Sequence, residues 1–176
     1  SVENIATSMQ RLVDRELRRT RIQSDRARHS ANLAAVTQGV VNVLRRTPAG
    51  STLAWTIDIP DNLLVQIDPE DLAEAMGAIA ENAARHAKSS VTVRAVEEPT
   101  QVRITVGDDG SGAPADALDM IKARGFRLDE AADGQGFGLA IVTEIVSAAK
   151  GSVSFANGGP GLVVTMRIPI WAAVLE

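Results

Sequence analysis

From Leu53 to Ile59 the chain alternates. Leu53, Trp55, Ile57 and Ile59 share one side, with Ala54, Thr56 and Asp58 between them. A period of two predicts a strand with one buried face. A few residues later the period changes. Asp68-Pro69-Glu70 offers an acid that accepts from free N–H groups and a proline suited to a first helical turn. Leu72, Met76, Ile79 and Ala83 then recur at helical spacing, which predicts a helix running to about Lys88. Leu33, Val36, Val40 and Val43 predict an earlier helix that stops before Pro48. Strands are expected around Val91–Val96 and Gln101–Val106, a helix over Leu139–Lys150, and a closing hairpin from Ser152–Ala156 and Leu162–Ile168. Strands and helices come in mixed order without strict βαβ alternation, so the expected class is α+β, a two-layer sandwich. There is no internal repeat and no low-complexity tract.

Ahead of this pattern, Val2, Ile5, Met9 and Leu12 step by 3, 4 and 3, with charged residues in the gaps. They fit either an amphipathic helix lying on the domain or part of a helical dimer bundle. Arg18 to Arg28 is polar and basic, and either continues the helix or forms a hinge. Ser1 falls in what reads as mid-helix, so the chain has the look of a fragment.

Composition narrows the function classes. The 176 residues suit one domain, or one domain with a short appendage. Apolar residues reach 45% but aromatics only 3%, so the core must be built from Ala, Val, Ile and Leu. A net charge of −4 counts against a general nucleic-acid binder, because phosphate backbones demand clustered positive charge. With no Cys, disulfides, thiol chemistry and cysteine metal sites are excluded. No apolar run approaches the roughly 18 residues that span a bilayer, and no signal peptide is visible.

Three segments carry candidate chemistry: Glu81-Asn82-Ala83-Ala84-Arg85-His86 near the end of the long helix, Asp108-Asp109-Gly110-Ser111-Gly112 after a strand, and Gly134-Gln135-Gly136-Phe137-Gly138-Leu139 before a helix. Glycines at every second position let the backbone approach an anion closely, and their N–H groups join the positive end of the helix dipole. That suits a di- or triphosphate. The third glycine comes one residue early for a dinucleotide fingerprint, and no Gly-Lys-Ser/Thr follows for a Walker loop. Asp108 is either a turn acid capping its loop or a carboxylate accepting from a purine amino group, with Gly110 and Gly112 letting the base lie against the backbone. Asn82 is either a solvated amide or a ligand of Mg²⁺, a cation that needs only one or two protein oxygens beside phosphates and water.

Taken in order, Asn82 with Arg85 and His86, then D-x-G-x-G, then G-x-G-x-G-L, resemble the N, G1 and G2 boxes of the histidine kinase ATPase family. That family belongs to the gyrase, heat-shock chaperone and mismatch-repair ATPase superfamily. The resemblance covers roughly Ala31 to Pro169, including the closing segment from Gly159. It implies a Bergerat-type fold, with a mixed, mainly antiparallel sheet covered by helices on one face. It also implies a nucleotide held between the long helix and a flexible lid over 113–133. On that resemblance Asn82 ligates Mg²⁺ and Asp108 reads adenine N6. Gly110, Gly112, Gly134, Gly136, Gly138 and Leu139 belong to the ATP-binding boxes, and Arg85 and His86 match positions that contact phosphate and base or ribose.

Two departures stand out. The first Asn of the family's N box falls at Ala78, which removes one helper at the metal, and Ile121-Lys122-Ala123-Arg124-Gly125 lacks the family's aromatic. The Arg124-Gly125 lid with Arg127 resembles the PhoQ-type sensor kinases. Arg124 and Arg127 either reach the γ-phosphate on lid closure or are solvated loop arginines.

A kinase of this type needs an acceptor histidine. His86 lies within the nucleotide motif. His29 is followed by Ser30 where the family has an acid, and no proline follows until Pro48. The resemblance therefore implies no catalytic acceptor in this chain. It makes residues 1–29 the end of a dimerisation helix and a linker, and 30–176 an ATP-binding catalytic domain. The implied activity is transfer of the ATP γ-phosphoryl to a histidine outside the chain, then to a response regulator in a two-component phosphorelay. Implied partners are the dimerisation domain, a second copy and the regulator, with no nucleic acid. The implied place is the cytoplasmic side, the parent lying in the bacterial inner membrane. Two rivals remain: a superfamily ATPase doing conformational work, and a regulatory nucleotide-binding module without catalysis.

Overall fold

The computed structural model describes residues 8–17, 29–116, 118, 136–158 and 160–171. Helix α1 covers 8–17. The domain then runs β1 (Ala31–Asn32), α2 (Leu33–Leu44), β2 (Ala54–Asp58), β3 (Leu64–Val65), α3 (Pro69–His86), β4 (Ser90–Glu97), β5 (Gln101–Asp108), α4 (Gly136–Ala148), β6 (Ser152–Asn157) and β7 (Leu162–Pro169). Five strands form one sheet in the order β2-β4-β5-β7-β6. β2 pairs with β4 in parallel, and the other three pairings are antiparallel. This is the expected mixed, mainly antiparallel sheet.

Alternation decides which face is covered. Val91, Val93 and Ala95 of β4, Val102, Ile104 and Val106 of β5, and Val164, Met166 and Ile168 of β7 are all buried at every second position. α3 lies between α2 and α4 and brings Leu72, Met76 and Ile79 down onto that face. Burying one such aliphatic side chain contributes about 1.5–3 kcal/mol. As composition required, the core holds a single aromatic, Phe155, among the described residues.

The start of α3 follows the expectation. Asp68 is the N-cap, accepting from Glu70 N–H at 2.8 Å and Asp71 N–H at 3.4 Å, and Pro69 occupies the first turn. Helix α4 starts at Gly136, three residues before the expected Leu139, so two of the spaced glycines lie inside its first turn. Its end is a Schellman arrangement: Gly151 N–H donates to Val146 and Lys150 N–H to Ser147. Lys150 takes the left-handed conformation, at φ 62°.

The short pair β1 and β3 was not expected. Ala31 pairs with Val65 and Asn32 with Leu64, while Val65 also bridges Ile170. The entry and exit of the domain are thus tied to one two-residue strand. Asn32 caps α2 by accepting from Ala35 N–H at 3.0 Å. In α1, Met9, Leu12, Val13 and Leu17 are exposed, and the helix reaches the domain through Arg15, 3.3 Å from Glu144 of α4. Its apolar side is therefore not laid on the domain. Val2, Ile5 and the possible hinge at 18–28 lie outside the described residues.

Candidate functional site

The C-terminal ends of α3 and β5 meet beside the β6–β7 hairpin. Between them is a cavity of about 200 Å³ lined by Asn82, His86, Asp108, Gly112, Ala113, Pro114 and Leu162. Four of the expected residues are thus brought together from two distant segments. Asn82 does not project from the surface: the residue is 4% exposed and lines the cavity wall. An amide on such a wall can offer its oxygen to a bound ligand. One oxygen of this kind fits Mg²⁺, which keeps waters and phosphate oxygens as its remaining ligands. Among the described residues no group of three or more His, Asp or Glu could hold a metal by itself.

The turn-acid reading of Asp108 fits the structure. The residue is 9% exposed, and its Oδ1 accepts from Gly110 N–H at 2.8 Å, as a turn acid does. That bond orients the carboxylate and leaves Oδ2 without a partner among the described residues. The glycines around it are there for space. A Cβ on Gly110 would run into the His86 carbonyl, and one on Gly161 into the Asp108 carbonyl and carboxylate. Gly112 has φ +74°, a conformation that side chains rarely adopt.

Not every expected residue is in this cluster. Arg85 is exposed on α3 and is not among the residues lining the cavity. Leu139 is 2% exposed and packs in the hydrophobic core. Gly136 and Gly138 lie in the first turn of α4, where backbone N–H groups have no helical acceptor, and α4 packs along α3. Arg124, Arg127, Gly134 and nearly all of the expected lid lie outside the described residues. His29 is not near this cluster along the helix. Its Nδ1 is 2.7 Å from Oδ2 of Asp68, at the opposite end of α3. The 18 residues from Pro69 to His86 put those ends about 25 Å apart at the helical rise.

Three further residues, none of them an expected site residue, stand around the site; Asp109 lies inside the D-x-G-x-G segment at its unspecified position. Asp109 accepts from the N–H groups of Lys88, Ser89 and Ser90 at 2.8, 2.9 and 3.1 Å, and from the Ser89 hydroxyl. That hydroxyl, then the N–H groups of Ser89 and Ser90, hold its carboxyl well below the usual carboxylate range. Asn157 pairs with the Ala113 backbone in both directions. Ala113 N–H donates to Oδ1 at 2.9 Å, and Nδ2 donates to the Ala113 carbonyl at 2.7 Å. Leu162 supplies an apolar wall. The Asn157-Gly158 dipeptide is a turn signal, which marks a hairpin tip and says nothing of a contact with Ala113.

At the N-terminal end of α3, burial acts to raise the Asp68 carboxyl. The N–H of Glu70, the His29 ring and the N–H of Asp71 together outweigh it and leave the carboxyl below its ordinary value.

Comparison with known proteins identifies the family and the fold. Residues 67–172 match the family model of histidine kinase-, DNA gyrase B- and HSP90-like ATPases. The chain is 36% identical to the sensor protein kinase CarS of Pseudomonas aeruginosa over 119 residues, 67% of this chain and 26% of that protein. It is 30% identical to the two-component sensor PhoQ of the same organism over 132 residues, 75% of this chain and 30% of that protein. The chain thus spans under a third of the length of these relatives. Its fold matches that of the mycobacterial sensor histidine kinase MprB with a TM-score of 0.71 at 22% identity, covering 82% of this chain and 99% of that one.

Proposed function

Because the chain belongs to the histidine kinase-, DNA gyrase B- and HSP90-like ATPase family, as a histidine-kinase-type catalytic domain homologous to sensor kinases, we propose that its cavity binds the adenine of ATP and presents the γ-phosphoryl to a histidine outside residues 1–176. The observation that carries this is the meeting of Asn82, His86 and Asp108 around one cavity, with Asp108 oriented by Gly110. Oδ2 of Asp108 accepts from the adenine amino group. Guanine carries a carbonyl there, so the site prefers ATP. The Asn82 amide oxygen holds Mg²⁺, which neutralises phosphate charge when bound. The N–H groups of Gly134, Gly136 and Gly138 cradle the phosphates at the start of α4. Arg85 and His86 contact phosphate and base or ribose, and Arg124 and Arg127 approach the γ-phosphate from the lid. Catalysis here is mostly positioning and charge neutralisation.

In this reading residues 1–29 are the end of a dimerisation helix with its linker, and 30–176 the catalytic domain. The partners are the dimerisation domain, a second copy and a response regulator that continues the phosphorelay. No described helix is long and apolar enough to cross a membrane; the parent protein, which we place in the inner membrane, carries this domain on its cytoplasmic side. The bond of His29 to Asp68 supports an acceptor elsewhere. Ala78, one turn before Asn82, offers no carboxylate to activate water, where general-base help is worth about 10²–10⁴-fold. Hydrolysis is therefore slow, as a kinase requires.

Calorimetry tests the reading. Asp108→Ala weakens ATP binding about tenfold or more, the cost of losing one hydrogen bond to a charged group, with the fold kept by circular dichroism. The isolated chain binds ATP but does not label itself. Steady hydrolysis near about 1 s⁻¹, an ordinary enzyme rate, that vanishes in Asn82→Ala would favour the ATPase rival. A regulatory module would bind ATP while its full-length parent fails to autophosphorylate.

A further inference from the structure

We propose that Asp109 is a positioning residue of the nucleotide site: its carboxylate holds the end of α3 against the end of β5 and so sets the gap between Asn82 and His86 on one wall and Asp108 on the other. This rests on the nucleotide reading above, and adds to it a residue that touches no substrate.

The reason lies in how α3 ends. Ala87 leaves the helix with an extended backbone, φ −65° and ψ 146°. The next three N–H groups, of Lys88, Ser89 and Ser90, then converge on one oxygen, Oδ1 of Asp109. Successive N–H groups aimed at a point form a small anion-binding concavity, and here the carboxylate of the residue just after β5 fills it. Oδ2 accepts from Ser89 through both its N–H, at 3.1 Å, and its hydroxyl. Adjacent side chains on a strand point to opposite sides. With Asp108 turned into the cavity, Asp109 is turned onto this loop. The backbone between them has no slack, because Gly110 is bonded to Asp108 and lies against the His86 carbonyl with no room for a Cβ. Movement of the α3 end is therefore movement of the cavity wall. Hydrogen bonds to an ionised acceptor are about twice as strong as neutral ones, and the depressed Asp109 carboxyl keeps that charge through mildly acidic conditions.

The test titrates the chain with ATP and with GTP, for wild type, Asp109→Ala and Asp109→Asn, well below each melting temperature. Asp109→Ala weakens ATP binding about tenfold, the size of one lost charge-assisted bond, and reduces the preference for ATP over GTP. Asp109→Asn keeps an oxygen for the three N–H groups and lies between alanine and wild type in both readouts. A residue that only stabilised the fold would move the melting temperature and leave the nucleotide preference alone. A folded Asp109→Ala with wild-type affinity and preference overturns the proposal. Should that variant not fold, an asparagine variant indistinguishable from wild type in both readouts overturns it instead. A wild type that binds neither nucleotide defeats the nucleotide reading and this role with it. A wild type that binds ATP beside a variant that binds it equally well defeats this role alone.

Discussion

At the N-terminal end of α3, Asp68 precedes the helix in sequence and accepts from that helix's own first N–H groups. At the C-terminal end, Asp109 arrives from β5, some twenty residues on, and accepts from N–H groups that have already left the helix. Both are aspartates holding backbone N–H groups, and both carboxyls sit below their ordinary value. The first is local and fixes where the helix starts. The second joins two elements and fixes how far apart they stand. The difference teaches that one chemical device serves stability at one end of a helix and geometry at the other.

The comparison breaks most sharply at Gly110. Gly110→Val forces a branched side chain into the His86 carbonyl. It should abolish measurable ATP binding and cost about 1–3 kcal/mol, as overpacking does. Calorimetry and a thermal melt read the two effects. Asp68→Ala is the contrasting case. It should cost about 1–2 kcal/mol for the lost N-cap, yet leave ATP affinity unchanged at temperatures where the variant is folded. A tenfold loss of affinity in Asp68→Ala would erase the distinction between the ends.

Acid sharpens the comparison further. The folded Asp68 carboxyl lies below the unfolded value of 3.8. Its stabilising contribution is therefore complete well above pH 3.8 and is lost as pH falls through the lower folded value. The gap in melting temperature between wild type and Asp68→Asn should narrow steadily below about pH 4. His29→Ala should have the smallest effect, under about 1 kcal/mol, because its bond to Asp68 is a single, partly exposed contact. It should leave ATP binding unchanged by calorimetry.

Much of the fold was legible because it rests on local period. Alternation at Leu53–Ile59 marked β2, and Asp68-Pro69 marked the start of α3 to the residue. β1 and β3 were not legible, since two-residue strands carry no period and exist only because Leu64 and Val65 have partners. For the candidate site, the three motifs named Asn82, Asp108 and the glycines. Leu139, taken with its motif, packs in the core, because a motif shows which residues travel together and not which way each side chain turns.

By itself the sequence determined the α+β class, the cap at the start of α3 and the ordered boxes that point to a nucleotide, since each depends on residues close together in the chain. Only the tertiary structure decided that Asn82 lines a cavity wall opposite Asp108, that Asp109 clamps the turn after α3, and that Asn157 grips Ala113. Those facts depend on backbone N–H and carbonyl groups, which every residue type carries alike. Which of them a distant side chain meets is set by strand register and helix packing, and neither is written in local spacing.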